Sequence, residues 1–169
     1  MRSNKETKEQ VFTSLYHEYS DAIFRFCYFK TGDREIAVDI TQDVFIKAFN
    51  HIETFVEASH PKAFIYTIAK NTIIDFWRKK KSLKEYELPE GFMGDVISNI
   101  KTDTLAHYSE FLSFVDKLSP TEKEVIILRY VEDLSSKDMA ELLGERENTI
   151  LVRISRATKH LKEISEGSE

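Results

Sequence analysis

A single cysteine excludes an internal disulfide, and three prolines with five glycines leave few turns in 169 residues. Cys27 lies in the apolar stretch FRFCYF, the setting of a buried thiol rather than a redox sensor. The five histidines show no metal-ligand spacing. There is no glycine-rich phosphate loop, no nucleophile elbow and no grouping of carboxylates suited to acid–base work. These absences argue against an enzyme and predict neither a metal nor a cofactor. No apolar run is as long as a membrane span. The polar start, MRSNKETKEQ, lacks the apolar centre of a signal peptide, so a cytoplasmic protein without membrane insertion is expected. Positive charge is also short. The formal net charge is −5, the first 90 residues balance, and the deficit sits in the remainder. A protein that binds duplex DNA alone usually carries a basic excess, because phosphate neutralisation supplies most non-specific affinity. Here cations are local: the run Arg78-Lys79-Lys80-Lys81 and one face of the last helix. If DNA is the partner, something else supplies much of the affinity.

What the chain does hold is helical periodicity. The hydrophobic fraction of 41% and the aromatic fraction of 12% are enough for a core. The pattern predicts an all-α protein of two small helical domains joined by a flexible linker. Residues 8–30 carry Phe12, Leu15, Tyr16, Tyr19, Ile23, Phe26 and Cys27 at spacings of three and four. Thr31-Gly32-Asp33 stops that helix and caps the next, residues 33–52, whose apolar row is Ala37, Ile40, Val44 and Ala48. Asp39, Gln42, Asp43 and Ile46 share a different face of it. On residues alone that face reads as solvated surface. Thr54–His60 is a loop, and Pro61 opens a helix to about Lys81. On this third helix Tyr66, Lys70, Ile73, Trp77 and Lys81 form a mixed aromatic and basic face, and Asn71, Asp75 and Arg78 a separate line. Rings interleaved with cations suit single-stranded nucleic acid. They equally suit a half-buried core with a basic helix C-terminus.

The pattern weakens through residues 82–104, where Pro89, Gly91 and Gly94 mark a linker. Leu105–Leu118 is helical again. Ser119-Pro120-Thr121-Glu122 is a capping box with proline at the first helical position, and Val125, Ile126, Leu128 and Tyr130 form the inner side of the helix it starts. From Leu134 to Leu161 come two short helices and a tight turn. Ser135 caps the first and Gly144 ends it. The second buries Ile150, Ile154, Ala157 and Leu161, and turns Arg146, Thr149, Arg153 and Arg156, with Lys159 near them, to the other side. That is the pattern of a helix-turn-helix, or of an ordinary helical hairpin with a basic face.

Three segments then carry a resemblance: AVDITQDVFIKAF (37–49), AFIYTIAKNTIIDFWRKKK (63–81), and LSPTEKEVIILRYVEDLSSKDMAELLG followed by TILVRISRATKHL (118–161). In this order and spacing the chain resembles a bacterial RNA polymerase sigma factor of the extracytoplasmic-function group. The resemblance implies a division into region 2 (1–84), linker (85–104) and region 4 (105–169). It implies that Asp39, Gln42, Asp43 and Ile46 dock on the coiled coil of the core polymerase clamp. It implies that the loop 55–60 with Asn71 holds a flipped base of the downstream promoter element, and that Lys70, Trp77, Arg78 and Lys79 meet the opening strands. Arg146, Asn148, Thr149, Arg153, Arg156 and Lys159 would lie at the upstream element. Partners implied are core RNA polymerase, promoter DNA in double- and single-stranded form, and an anti-sigma factor. Leu151 and Val152 depart from the family, which usually has Lys and Ser there; they could touch thymine methyls or be covered by a regulator. Trp77 is not a usual family residue either. Two further readings stand beside this one: a stand-alone helix-turn-helix regulator, and a helical adaptor that binds proteins without DNA contact.

Overall fold

The computed structural model describes residues 7–82 and 109–167. Among them every regular element is helical, and they fall into two compact units, one of residues 7–28 and 33–82 and the other of residues 29–32 and 109–167. The linker expected over 85–104 lies outside the described residues.

The first unit contains α1 (Lys8–Thr31) as far as Tyr28, α2 (Arg34–Asn50), α3 (Ile52–Glu57) and α4 (Pro61–Ser82). Gly32 adopts a left-handed conformation after α1 (φ 70°), and Asp33 then caps α2, its carboxylate accepting from the Ile36 amide at 3.0 Å. α2 packs on α4. Alanines at positions 37, 48, 63 and 69, all fully buried, leave room for close approach of the backbones. Aromatic edges tie α1 to both: Phe12 meets Phe45 and Phe49, and Phe26 meets Tyr66 at 5.2 Å. A polar link crosses the α2–α4 seam. Lys47 donates to the Thr72 hydroxyl at 3.1 Å, and that hydroxyl donates to the Ile68 carbonyl. The segment 54–60, expected as a loop, is helical over its first half. α3 is held by buried Ile52 and by Phe55 lying 6.1 Å from Phe64.

The second unit contains α5 (Ser109–Val115), α6 (Pro120–Ile126), a π-helical turn (Ile127–Val131), α7 (Ser136–Leu143) and α8 (Glu147–Glu166). The Ser119–Glu122 capping box forms as the sequence predicts, and the Ser135 cap closes into a second box. Glu122 accepts from the Ser119 amide and hydroxyl at 3.0 and 2.7 Å, and Ser135 and Asp138 make the equivalent pair. Val125 through Leu128 are four consecutive buried residues, so this segment is enclosed on nearly all sides. α6 does not continue as α-helix to Val131. The turn widens, with the Glu132 amide donating to the Ile127 carbonyl five residues back. The wider turn shifts the register, and Tyr130, expected inside, is half-exposed, its hydroxyl 3.3 Å from that of Thr158. α8 runs on to Glu166, past Leu161 where the sequence pattern ends.

Candidate nucleic-acid and protein interfaces

On α2, Asp39, Gln42, Asp43 and Ile46 are all exposed. The 3.6-residue period sets them on one side of the helix, roughly opposite Ala37, Val44 and Ala48. Ile46 is 60% exposed, the value also found for Val56 of α3. An isoleucine standing in water among carboxylates gains nothing for the isolated fold. It forms an apolar centre with a charged rim, the anatomy of a protein interface.

α4 separates two roles that the sequence merged. Tyr66, Ile73 and Trp77 are 0, 2 and 5% exposed and belong to the core. Trp77 packs edge-on against Phe76 at 5.3 Å. An indole this enclosed cannot stack on a base while the fold stands, which removes Trp77 from the DNA-facing set. Asn71, Ile74, Asp75, Arg78 and Lys79 are exposed and Lys70 is partly so. Arg78 pairs with Asp75 at 3.3 Å, a surface pair that fixes direction more than energy. The cations of the last turn, Lys79 to Lys81, complement the helix dipole and make this end of α4 the most basic stretch of the unit.

In the second unit α7, Gly144 and α8 form the helix-turn-helix. Gly144 is left-handed (φ 66°), its amide donating to the Ala140 carbonyl, so the chain reverses without a side chain in the way. Ser136 of α7 donates to Glu147 at 2.7 Å and fixes the start of α8. Arg153 is not on the open face. Its guanidinium pairs with Glu145, donates to the Thr121 carbonyl at 3.2 Å, and lies 3.8 Å from Glu124, with 23% of the side chain exposed. It fastens α8 to the start of α6 and to the turn. His160, two turns further on, similarly meets Glu122 at 3.0 Å. The Glu122 carboxyl is held below its ordinary range, first by the Ser119 hydroxyl and to a lesser degree by His160. Arg146, Asn148, Thr149, Arg156 and Lys159 are exposed. So are Leu151 and Val152, each at 48%.

A helix-turn-helix with an open second helix in one unit, and a basic helix end with an exposed isoleucine rimmed by acid in the other, suit a transcription factor that meets both DNA and protein. The family models agree. Residues 15–83 match Sigma-70 region 2, and residues 108–161 match Sigma-70, region 4. The chain is 30% identical to the RNA polymerase sigma factor YlaC of Bacillus subtilis, over 88% of each chain. It is 28% identical to SigV of the same organism, over 94% of this chain and 93% of that one. It shares its fold with the sigma factor RpoE of Bartonella quintana, solved in complex with the anti-sigma factor NepR. That match has a TM-score of 0.64 and 24% identity, and covers 92% of this chain and 96% of that one. The chain belongs to the sigma-factor family, in its extracytoplasmic-function group. It directs RNA polymerase to promoters. Among the described residues no helix is long and apolar enough to cross a membrane.

Proposed function

We propose that the chain performs this function through three of its own surfaces, in a first region (1–84) and a second (105–169) joined by a linker (85–104). The exposed Asp39, Gln42, Asp43 and Ile46 of α2 dock on the coiled coil of the polymerase clamp. Carboxylates around an isoleucine would fix partner and register by charge and supply apolar contact at the centre. Asn71 and the segment 55–60 hold a base extruded from the downstream element, while Lys70, Arg78 and Lys79 follow the separated strands. Extrusion costs a few kcal/mol of stacking, which contacts to the base offset. The open face of α8, with Arg146, Asn148, Thr149, Arg156 and Lys159, enters the major groove of the upstream element. Trp77 and Arg153 support these surfaces from within and touch no DNA. The observation that carries the reading is Ile46, an apolar side chain kept in solvent inside an acidic face.

The chain has no catalytic activity of its own, needs no metal or cofactor, and works in the cytoplasm. An anti-sigma factor, as in the RpoE complex, is its natural antagonist, since covering these faces would block both partners.

The test is run-off transcription with core polymerase on a pool of promoter fragments, with and without the protein. Discrete transcripts only in its presence are expected. Asn71→Ala should then cut open-complex formation without weakening polymerase binding. Equal losses in both would make Asn71 structural, and no protein-dependent transcript together with no polymerase binding would overturn the reading.

A further inference from the structure

α8 faces outward along a line that its cations do not dominate. With about 100° per residue, Val152 lies about 200° from buried Ile150 and Asn148 about 160°, so both point directly away from the unit. Ser155, Arg156 and Lys159 continue the same side one to two turns on. Arg153, about 60° from the core centre, is drawn back onto Glu145 and the Thr121 carbonyl. The residue at the middle of the open face is therefore a valine, 48% exposed, flanked by Leu151 at 48%.

We propose that Val152 is a specificity-determining residue that reads the 5-methyl group of a thymine in the major groove of the upstream element. This rests on the reading that α8 enters that groove. A recognition helix meets base edges with its N-terminal residues, and Val152 is in the second turn of α8, which begins at Glu147. The apolar group displayed in the major groove is the thymine methyl. Asn148, one turn earlier on the same line, has the amide that pairs with adenine N6 and N7. Arg156 and Lys159, further along, suit phosphates. Nearby glutamates do not oppose this. Glu145 is neutralised by Arg153, and Glu147 is turned to Ser136. An apolar residue with Asn148 one turn before it and Arg156 one turn after it suits DNA better than an apolar protein surface. The combination favours A·T pairs where Val152 and Asn148 reach.

The test uses holoenzyme assembled from core polymerase and the full chain on a promoter recovered from the pool. Thymines upstream of the melted region are replaced one at a time by deoxyuridine, which removes only the methyl. Loss of one buried methyl predicts about a fourfold fall in promoter affinity at one position. Val152→Ala removes both γ-methyls and should abolish that sensitivity, while Leu151→Ala should keep part of it. Val152 is a surface position and alanine favours helix, so the variant folds. Insensitivity of the wild type at every thymine, or an undiminished response in Val152→Ala, overturns the proposal. Arg156→Ala with Lys159→Ala separates the two levels. If that pair leaves promoter affinity unchanged, α8 is not on DNA and the underlying reading fails. If it lowers affinity while deoxyuridine has no effect, only the thymine contact fails.

Discussion

Arg153→Ala distinguishes a DNA contact from a fastening inside the fold. In the structure the guanidinium holds three groups at once: the Glu145 carboxylate, the Thr121 carbonyl and, at longer range, Glu124. The side chains of Arg153, Glu145 and Glu124 are 23, 33 and 28% exposed, so solvent screens them only in part. A fully exposed pair would contribute up to about 1 kcal/mol, and hydrogen bonds to charged groups about 1.5–3 kcal/mol. Removal of the arginine also leaves the Glu145 carboxylate without its cation. A loss of about 1–3 kcal/mol for the second unit follows. In amide hydrogen exchange read by mass spectrometry, that is about 5- to 150-fold faster exchange for amides of α6 and α8 that open with the unit. Peptides from α2 and α4 should be unaffected. Arg156→Ala is the matched control, because it removes an exposed cation from the same helix and should leave exchange unchanged while weakening promoter binding. The reasoning is refuted if Arg153→Ala exchanges within twofold of the wild type yet loses promoter binding as Arg156→Ala does.

Other substitutions separate core from surface in the same way. Trp77→Ala, in the core beside Phe76, should cost about 3–5 kcal/mol in urea unfolding followed by circular dichroism; a stable variant that fails only in promoter melting would return Trp77 to the DNA. Asp43→Lys should weaken core-polymerase binding about tenfold or more with an unchanged unfolding midpoint, and unaltered binding would remove α2 from that interface. Glu122 titrates below its ordinary value because the Ser119 hydroxyl favours the carboxylate, so its contribution is whole above the unfolded pKa of about 4.3 and is lost as pH falls through the lower folded value. The stability difference between wild type and Glu122→Gln should therefore shrink on acidification through that window. A difference that stays constant across it would refute the assignment.

Much of the fold could be read from the sequence because its signals are local. Ser119 with Glu122, Ser135 with Asp138, and Gly144 each act within three or four residues, so composition and spacing suffice to place those helix ends. What could not be read depended on distant partners. Arg153 stands on the flank of the core stripe, where a long side chain can lie on the surface or reach back. Its direction is decided by Glu145 and by Thr121, 32 positions away. Tyr66 and Trp77 sit beside the Ile65–Ala69 stripe of α4. Whether that stripe is narrow or wide depends on how many helices cover it, and with Phe26 of α1 reaching Tyr66 it is wide. Tyr130 was misplaced for a third reason: one extra residue in a turn changes every face after it, and nothing in ILRYV announces the π-turn.

The acidity of the chain and the internal use of Arg153 bear on one point. With Arg153 neutralised by Glu145, the exposed cations that α8 can offer to phosphates are Arg146, Arg156, Lys159 and Lys162, and the last two also lie 3.9 Å from Glu163 and 3.6 Å from Glu166. Even four phosphate contacts give a salt slope of only about 4, against the 6–10 contacts of proteins that hold duplex DNA by themselves. A net charge of −5 lowers the non-specific term further. A stand-alone regulator built this way would spend little time on DNA. A subunit delivered by polymerase does not need that affinity, because the enzyme supplies the encounter and the second set of contacts, and tethering converts weak local binding into effective recognition. Few cations on α8 then favour specificity, since less of the binding comes from contacts that every sequence offers. With α8 in the groove as proposed, discrimination is left to the residues placed to meet base edges, and the most outward on this helix are Asn148 and Val152.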